Sequence, residues 1–193
     1  MKSSIFKTEC LAYLAKLSNS FSEEIYTAIE SLSLELKEAW LSGNQVFICG
    51  NGGSAANAIH IANDLIYGVG ACGLGEKIPG IKVEALSSNS GVLTCIANDT
   101  GYENIYSEQI KVSGKPGDLL ILLSGSGNSK NIINAINIAK KMKINTFGIF
   151  GYNGGKSKKI VDEFIHTKID DMQISEDMQL VIFHMCMQLL KKK

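Results

Sequence analysis

The chain has 193 residues, and its 19 Lys and Arg against 19 Asp and Glu give a formal net charge of zero. This length suits one well-buried α/β domain, and no Pro-rich or low-complexity linker divides the chain. The charge balance excludes a net basic field of the kind that binds nucleic acid, so no nucleic-acid partner is expected.

The first residues lack the apolar core of a signal peptide, and no apolar run is long enough to span a bilayer. We therefore expect a cytoplasmic protein without a membrane partner. The cysteines are odd in number and form no CxxC pair, which predicts reduced and mostly buried thiols without a metal or redox role. They are Cys10, Cys49, Cys72, Cys95 and Cys186.

Apolar residues at helical spacing predict two helices before the first strand, over residues 4–18 and 21–41, with Ser20 or Ser22 capping the second. Leu32, Leu36 and Trp40 suit either a subunit contact or an intramolecular core. Beyond them, strand and helix patterns alternate. Strands are predicted at 45–49, 81–86, 118–123, 145–150 and 163–168, and helices at 54–67, 90–97, 102–112, 129–142, 155–162 and 174–191.

This βαβ series predicts an α/β fold, a three-layer αβα sandwich around a parallel sheet. The strands over 119–123 and 146–150 are almost continuously apolar, as parallel strands covered on both faces are. Ligands of such sheets bind beyond the carboxyl ends of the strands, near the point where the strand order reverses. Functional residues are therefore expected directly after the predicted strands.

Glycine and serine dominate the loops after the first and third strands. Small residues let the backbone approach an anion, and the helix that follows each loop presents free N–H groups at its positive end. The pair predicts a phosphorylated small molecule as ligand, although either loop alone could be an ordinary turn. The loops read Cys49-Gly50-Asn51-Gly52-Gly53-Ser54 and Ser124-Gly125-Ser126-Gly127-Asn128-Ser129.

Two further segments adjoin this edge of the sheet. Hydroxyl and amide side chains at 87–90 follow the second strand, and they suit either ligand contact or a helix cap at Ser88 or Ser90. Five glycines between residues 68 and 80 predict a surface loop that could act as a lid.

Histidines and carboxylates occur at helical spacing on two predicted helices. His60 and Asp64 are four residues apart and project from one face, which suits a shared metal or proton, or else packing of His60. The last helix carries Glu176, Asp177 and His184, and Asp177 lines up better with His184. The alternative for both acids is favourable electrostatics at the helix N-terminus.

Together these motifs resemble the phosphoheptose isomerases, the sedoheptulose 7-phosphate isomerases with a sugar isomerase (SIS) domain. The resemblance rests on both loops, His60, Ala97-Asn98-Asp99 with Gly101-Tyr102, and the last helix with His184. It implies a single SIS domain over 1–193 with a flavodoxin-like sheet, whose helical segment 1–43 packs on the core or at a subunit interface. It also implies a homotetramer with active sites between subunits.

The resemblance assigns substrate-binding roles to two groups of residues. Phosphate binding falls on Ser124, Gly125, Ser126 and Ser129, where Gly125 stands in place of a threonine found in many members. Contact with the sugar falls on Asn51, Gly52, Gly53, Ser54, Asn98 and Asp99.

The resemblance also implies one zinc ion per subunit. The family's ligands are His, Glu, Gln and His, and they fall on His60, Asp64, Glu176 and His184, so two of the four types are changed. A shifted register is the alternative for the Gln position, since Gln173 and Gln179 lie nearby, but Gln173 precedes the predicted helix and Gln179 lies off the His184 face. Catalytic roles fall on Asp64, Glu176 and His184. Asp64 withdraws its carboxylate by one C–C length, about 1.5 Å, while Glu176 adds a carboxylate that can bind metal or act as a base.

The implied function is conversion of sedoheptulose 7-phosphate to D-glycero-D-manno-heptose 7-phosphate, a precursor for lipopolysaccharide, capsule or another surface glycan. One alternative is a non-catalytic SIS module that binds a sugar phosphate or a protein, as relatives associated with the bacterial replication initiator do. Such modules lack the histidine that stands here as His184, whereas the changes at Asp64 and Glu176 favour them. The other alternative is an isomerase of a different sugar phosphate.

Overall fold

A five-stranded parallel sheet forms the centre of the computed structural model, which describes residues 2–71 and 78–191. The strand order is β2-β1-β3-β4-β5. This is the flavodoxin-like order, whose switch point lies between β1 and β3, so the predicted fold class is confirmed. The strands are β1 (Val46–Gly50), β2 (Val83–Ala85), β3 (Leu119–Ser124), β4 (Asn145–Phe150) and β5 (Glu163–His166).

Helices cover both faces of the sheet. A π-helical turn, Asp64–Gly68, continues α3, and 3₁₀ turns occupy Tyr102–Asn104 and Ser157–Lys159. The α-helices are α1 (Lys2–Ser18), α2 (Glu23–Ser42), α3 (Gly53–Asn63), α4 (Val69–Ala71), α5 (Ser90–Thr100), α6 (Ser107–Ser113), α7 (Lys130–Lys141) and α8 (Met172–Leu190).

Two apolar clusters, one on each face of the sheet, make the core. The first joins α2, α3 and α8 to the sheet, and in it Leu32 and Leu36 of α2 are fully buried. The second joins α6 and α7 to the other face, with α5 partly buried against it. The leucines of the second helix therefore serve the intramolecular core, one of the two alternatives that their spacing left open.

Short polar contacts fix where the elements begin and end. The Ser22 hydroxyl accepts a hydrogen bond from the Ile25 N–H at 3.4 Å and caps α2. Gly43 ends the helix in the left-handed conformation, with φ 67°. The buried Asp118 carboxylate accepts from the backbone N–H groups of Gln45 and Lys115, both at 2.9 Å, and so aligns the starts of β1 and β3.

The short helix predicted near 155–162 is only the 3₁₀ turn Ser157–Lys159. Gly154 and Gly155 have φ values of 76° and 56°, which no helix allows. The final helix begins at Met172, two residues before its predicted start, because Asp171 caps it by accepting from the Ile174 N–H at 3.2 Å.

Three smaller predictions need correction or lie outside the described residues. Asn89, not Ser88 or Ser90, caps α5 by accepting from the Val92 N–H at 3.1 Å. Cysteines were predicted to be mostly buried, but Cys10 and Cys95 are exposed while Cys49 and Cys186 are buried. The centre of the suggested lid, residues 72–77, lies outside the described residues.

Candidate active site

The first loop joins β1 to α3 at the switch point of the sheet. Gly52 has φ 58° and ψ −124°, a conformation that favours glycine. A Cβ on Gly50 would lie 2.7 Å from the backbone oxygen of Ser54, so this position has no room for a side chain. The buried Tyr106 hydroxyl donates to the Gly50 carbonyl, and burial raises the pKa of Tyr106, which keeps that donor protonated.

The second loop joins β3 to α7 and orders its own hydroxyls. The Ser124 hydroxyl accepts from the Gly127 N–H at 3.1 Å, and the Ser126 hydroxyl accepts from the Asn128 N–H at 3.3 Å. Ser129 is the N-cap residue of α7 but makes no side-chain cap hydrogen bond. The Ser129 hydroxyl, which makes no cap hydrogen bond, lies at the N-terminal, positive end of the 12-residue helix α7. This arrangement suits binding of an anion.

A third loop, residues 151–157 after β4, packs against the second loop and was missed in the sequence. The Gly151 N–H donates to the Gly125 carbonyl at 3.0 Å. A Cβ on Gly127 would lie only 2.0 Å from the Gly154 carbonyl oxygen. The signal for this loop in the sequence was the pair Gly154 and Gly155. The pair follows the fourth strand, so it lies at the same edge of the sheet as the other two loops.

His60, Asp64 and His184 converge at the surface where α3 meets α8. The two Nε2 atoms lie 3.2 Å apart, and the rings meet nearly edge-on at 80°. Asp64 Oδ2 lies 3.4 Å from the His60 Nε2 and 3.5 Å from the His184 Nε2. The predicted pairing of His60 with Asp64 on one helix face is confirmed, and His60 is half exposed instead of packed.

The separations within this trio fit a bound metal ion. Ligand atoms around a tetrahedral zinc lie about 3.3–3.6 Å from one another, given metal–ligand distances near 2.0–2.2 Å. The trio offers two imidazole nitrogens and one carboxylate oxygen, all within 4.8 Å of one another. Imidazole and carboxylate are ligands that zinc accepts, and three protein ligands leave one position open, as in catalytic zinc sites.

Glu176 lies apart from the trio, over the first residue of α3. A Cβ on Gly53 would lie 2.3 Å from Glu176 Oε2, so the glycine leaves room for the carboxylate beside the first loop. The positive end of α3 suits this negative charge. Asp177, the other acid of this turn, accepts from the Tyr13 hydroxyl at 2.6 Å, and this bond raises the pKa of Tyr13 to about 12.

A buried amide ties α8 to the first turns of α3. Gln179 Nε2 donates to the Ser54 hydroxyl at 3.0 Å, and its Oε1 accepts from Asn57 Nδ2 at 3.0 Å. Ser54 is only 3% exposed. Although Ser54 belongs to the first loop, its hydroxyl is bonded to α8 through Gln179. The sequence offered Gln179 only as a register alternative for the family's Gln ligand. Its contacts with Ser54 and Asn57 span more than a hundred residues of chain, so no local spacing could predict them.

The segment at the end of α5 reaches the first loop through Tyr102. Its hydroxyl donates to Asn51 Oδ1 at 2.9 Å. Asn98 and Asp99 are exposed and bonded to each other, with Asn98 Nδ2 donating to Asp99 Oδ1 at 2.8 Å.

After the second strand, the Ser87 hydroxyl donates to the Ala55 carbonyl at 3.1 Å.

Comparison with known proteins identifies the family. The SIS domain family model matches residues 10–151. The phosphoheptose isomerase of Aliarcobacter butzleri is 35% identical over 192 residues, which are 98% of this chain and 97% of that protein. The phosphoheptose isomerase of Akkermansia muciniphila is 34% identical over 165 residues, 86% of this chain and 85% of that protein. This chain belongs to the phosphoheptose isomerase family.

A solved phosphoheptose isomerase structure, from Francisella tularensis, shares the fold with a TM-score of 0.89 and 19% identity, and the match covers both chains completely. Within the described residues, no helix is long and apolar enough to cross a membrane.

Proposed function

We propose that the protein is an aldose–ketose isomerase that converts sedoheptulose 7-phosphate to D-glycero-D-manno-heptose 7-phosphate. The convergence of His60, Asp64 and His184 at 3.2–3.5 Å carries this proposal. The trio lies on the two helices that border the first loop, and the second loop follows the neighbouring strand. Membership of the phosphoheptose isomerase family supports the choice of substrate.

The two loops would hold opposite ends of the substrate. The second loop offers hydroxyls at the positive end of α7, and this supports binding of the phosphate by Ser124, Gly125, Ser126 and Ser129. The first loop offers a backbone without side-chain bulk, and this supports contact with the sugar by Asn51, Gly52, Gly53 and Ser54. Asn98 and Asp99 would complete the sugar end.

His60, Asp64 and His184 would hold a zinc ion, with Glu176 as the fourth predicted ligand. Bound there, zinc would polarise the substrate carbonyl and stabilise the negative charge that develops on its oxygen. The ligand separations described above support this assignment. Glu176 would have to turn from Gly53 towards the trio to join it.

Isomerisation moves a proton between two adjacent carbons of the sugar. A base removes a proton from C1 of the ketose and a proton is returned to C2, while the hydroxyl proton on O1 passes to O2. Glu176 is placed beside the first loop, and Asp64 Oδ1 is the oxygen left outside the trio. These two carboxylates, with His184, are the groups that would take and return the protons.

The active protein would be a cytoplasmic homotetramer of single SIS domains, with active sites between subunits. Helix α1 supports this because its apolar side chains are exposed: Ile5 by 64%, Phe6 by 77%, Leu11 by 55% and Leu14 by 58%. Burial of such a row against another subunit is favourable. In this assembly the segment 1–43 would serve both the core, through α2, and the interface, through α1.

The purified protein supplied with zinc and sedoheptulose 7-phosphate is expected to form an aldose heptose 7-phosphate, followed by NMR. A panel of five-, six- and seven-carbon ketose phosphates under the same conditions separates this substrate from the alternatives. Faster turnover of a shorter sugar would move the assignment to a different sugar-phosphate isomerase. No turnover of any member would contradict the enzyme.

A further inference from the structure

Two asparagines from different loops form a closed pair of hydrogen bonds. Asn51 Nδ2 donates to Asn131 Oδ1 at 2.9 Å, and Asn131 Nδ2 donates back to Asn51 Oδ1 at 2.8 Å. Asn131 lies in the first turn of α7, directly after the second loop, and is 1% exposed. The pair therefore links the sugar end of the site to the helix at its phosphate end.

One backbone group fixes the orientation of both amides. The Ile132 N–H can only donate, and it points at Asn131 Oδ1 from 3.0 Å. The other terminal atom of Asn131 must therefore be its nitrogen, which faces the oxygen of Asn51. The Tyr102 hydroxyl, 2.9 Å from the same Asn51 oxygen, must then donate as well.

Counting donors and acceptors shows what Asn51 still offers. An amide oxygen accepts about two hydrogen bonds, and its nitrogen donates two. The oxygen of Asn51 accepts from both Asn131 and Tyr102, and one of its N–H bonds points to Asn131. With respect to residues 2–71 and 78–191, a single N–H of Asn51 remains for a ligand.

We propose that Asn131 is a positioning residue that presents Asn51 to the substrate as a donor with one fixed N–H. The matching substrate atom is an acceptor, the carbonyl or a hydroxyl oxygen at the sugar end of a ketose phosphate. This inference rests on the proposed function. Correct placement of a single donor matters because a displacement near 1 Å can cost about a hundredfold in rate.

The test variant is Asn131→Asp, which keeps the size of the side chain and the acceptor for Ile132 but replaces the donor by an oxygen. In either orientation of the Asn51 amide, its oxygen then faces a carboxylate oxygen of the new side chain. We expect kcat at saturating substrate to fall about 10- to 100-fold. The new carboxylate lies in the first turn of α7, so it also weakens phosphate binding, and the comparison therefore rests on kcat and not on KM.

A pH profile separates positioning from general damage. Protonation of the carboxyl that Asn131→Asp introduces restores a donor towards Asn51, and burial raises the pKa of such a carboxyl. The ratio of kcat in the variant to kcat in the wild type should therefore rise as the pH falls from 8 towards 6. A loss caused by misfolding would give a flat or falling ratio.

Asn134→Asp is the matched control on the same helix. Asn134 Nδ2 donates to the Glu103 carbonyl at 3.0 Å and to Asn104 Oδ1 at 3.3 Å, so its hydrogen bonds go to the segment after α5 and not to Asn51. The control should retain kcat within about twofold. Equal kcat losses in the two variants, or a flat pH ratio in Asn131→Asp, would overturn the inference.

Tyr102→Phe keeps the test decisive if Asn131→Asp does not fold. Tyr102 is 58% exposed, so removal of its hydroxyl leaves the core intact while one donor to Asn51 is lost. We expect kcat of this variant to fall about 3- to 10-fold at unchanged KM. An unchanged kcat would contradict the proposed positioning of Asn51. An inactive wild type would refute the proposed function itself, whereas an active wild type with unaffected variants refutes only the positioning role.

Discussion

At the scale of single residues, Asp64 is the informative departure from the family pattern. Its carboxylate is one methylene shorter than the expected glutamate, yet Oδ2 still lies 3.4 and 3.5 Å from the two histidine nitrogens. The π turn begins at this residue, and such turns recur at functional sites. The shorter acid is therefore compatible with a metal site formed with His60 and His184.

Metal content tests this trio directly. The protein prepared without chelator is expected to bind about one zinc per chain by elemental analysis. His60→Ala and His184→Ala should each lose it, because removal of one histidine ligand leaves the ion weakly held. His166→Gln is the control, since His166 lies outside the trio. A metal-free native protein that still binds phosphate would instead support the non-catalytic SIS module.

His166 makes a separate prediction about acid stability. Its Nδ1 accepts from Lys158 Nζ and its Nε2 donates to the Tyr152 carbonyl, both at 2.9 Å, so the ring is neutral. Burial, helped by the Lys158 charge, lowers the pKa of His166 from 6.5. The unfolded chain therefore binds this proton more readily, and stability present above pH 6.5 is lost as the pH falls through the folded-state pKa.

Chemical-denaturation midpoints at pH 7.5 and pH 5 measure how much stability is lost through protonation of His166. His166→Gln keeps one donor and one acceptor without a titrating group, so the variant should lose less stability between these pH values than the wild type does. Equal losses in the two proteins would show that other groups account for the acid sensitivity.

At the scale of elements, burial decided which predictions succeeded. β4 was predicted at 145–150 and occupies Asn145–Phe150, because its apolar run is covered on both faces. The segment at 155–162 has no comparable run. Its backbone is bent by two left-handed glycines that pack on the second loop, a contact between distant parts of the chain that a local pattern cannot contain.

The contact between the second and third loops should be intolerant of a single methyl group. Gly127→Ala places a Cβ 2.0 Å from the Gly154 carbonyl at a residue with φ 64°, so we expect stability to fall by at least about 2 kcal/mol in chemical denaturation. Gly91→Ala, whose Cβ has 3.4 Å of space, is the control and should be neutral or slightly stabilising. Equal effects would show that the loops can move apart.

At the scale of the whole molecule, α1 is attached by polar contacts and by Leu17, and it leaves other apolar side chains uncovered. Lys16 Nζ lies 2.5 Å from the Asp171 carboxylate, and Tyr13 bonds Asp177. We expect light scattering to give the mass of a tetramer for the wild type. Phe6→Glu should lower that mass, because a charge cannot be buried in an apolar interface.

Lys7→Glu, also exposed on α1, is the control for the change in charge and should keep the tetramer. A monomeric wild type would refute the proposed assembly. A tetrameric Phe6→Glu variant would place the interface elsewhere.

The site as a whole was only partly predictable from the sequence. The two loops, His60, Asp64 and His184 stand out because residue type and local spacing mark them. Asn131 did not stand out, and Gln179 did so only as a register alternative for a metal ligand. Each gains its role in the structure from a partner 80 or 125 residues away. Such contacts arise only when the sheet brings the strand ends together.

Isomerisation in deuterated water tests the central claim most directly. With zinc supplied, the wild type should convert sedoheptulose 7-phosphate to the aldose and place solvent deuterium at C2, as proton transfer through an enzyme base allows, while His184→Ala should leave the ketose unchanged. A ketose that remains unconverted with the zinc-loaded wild type would contradict the account.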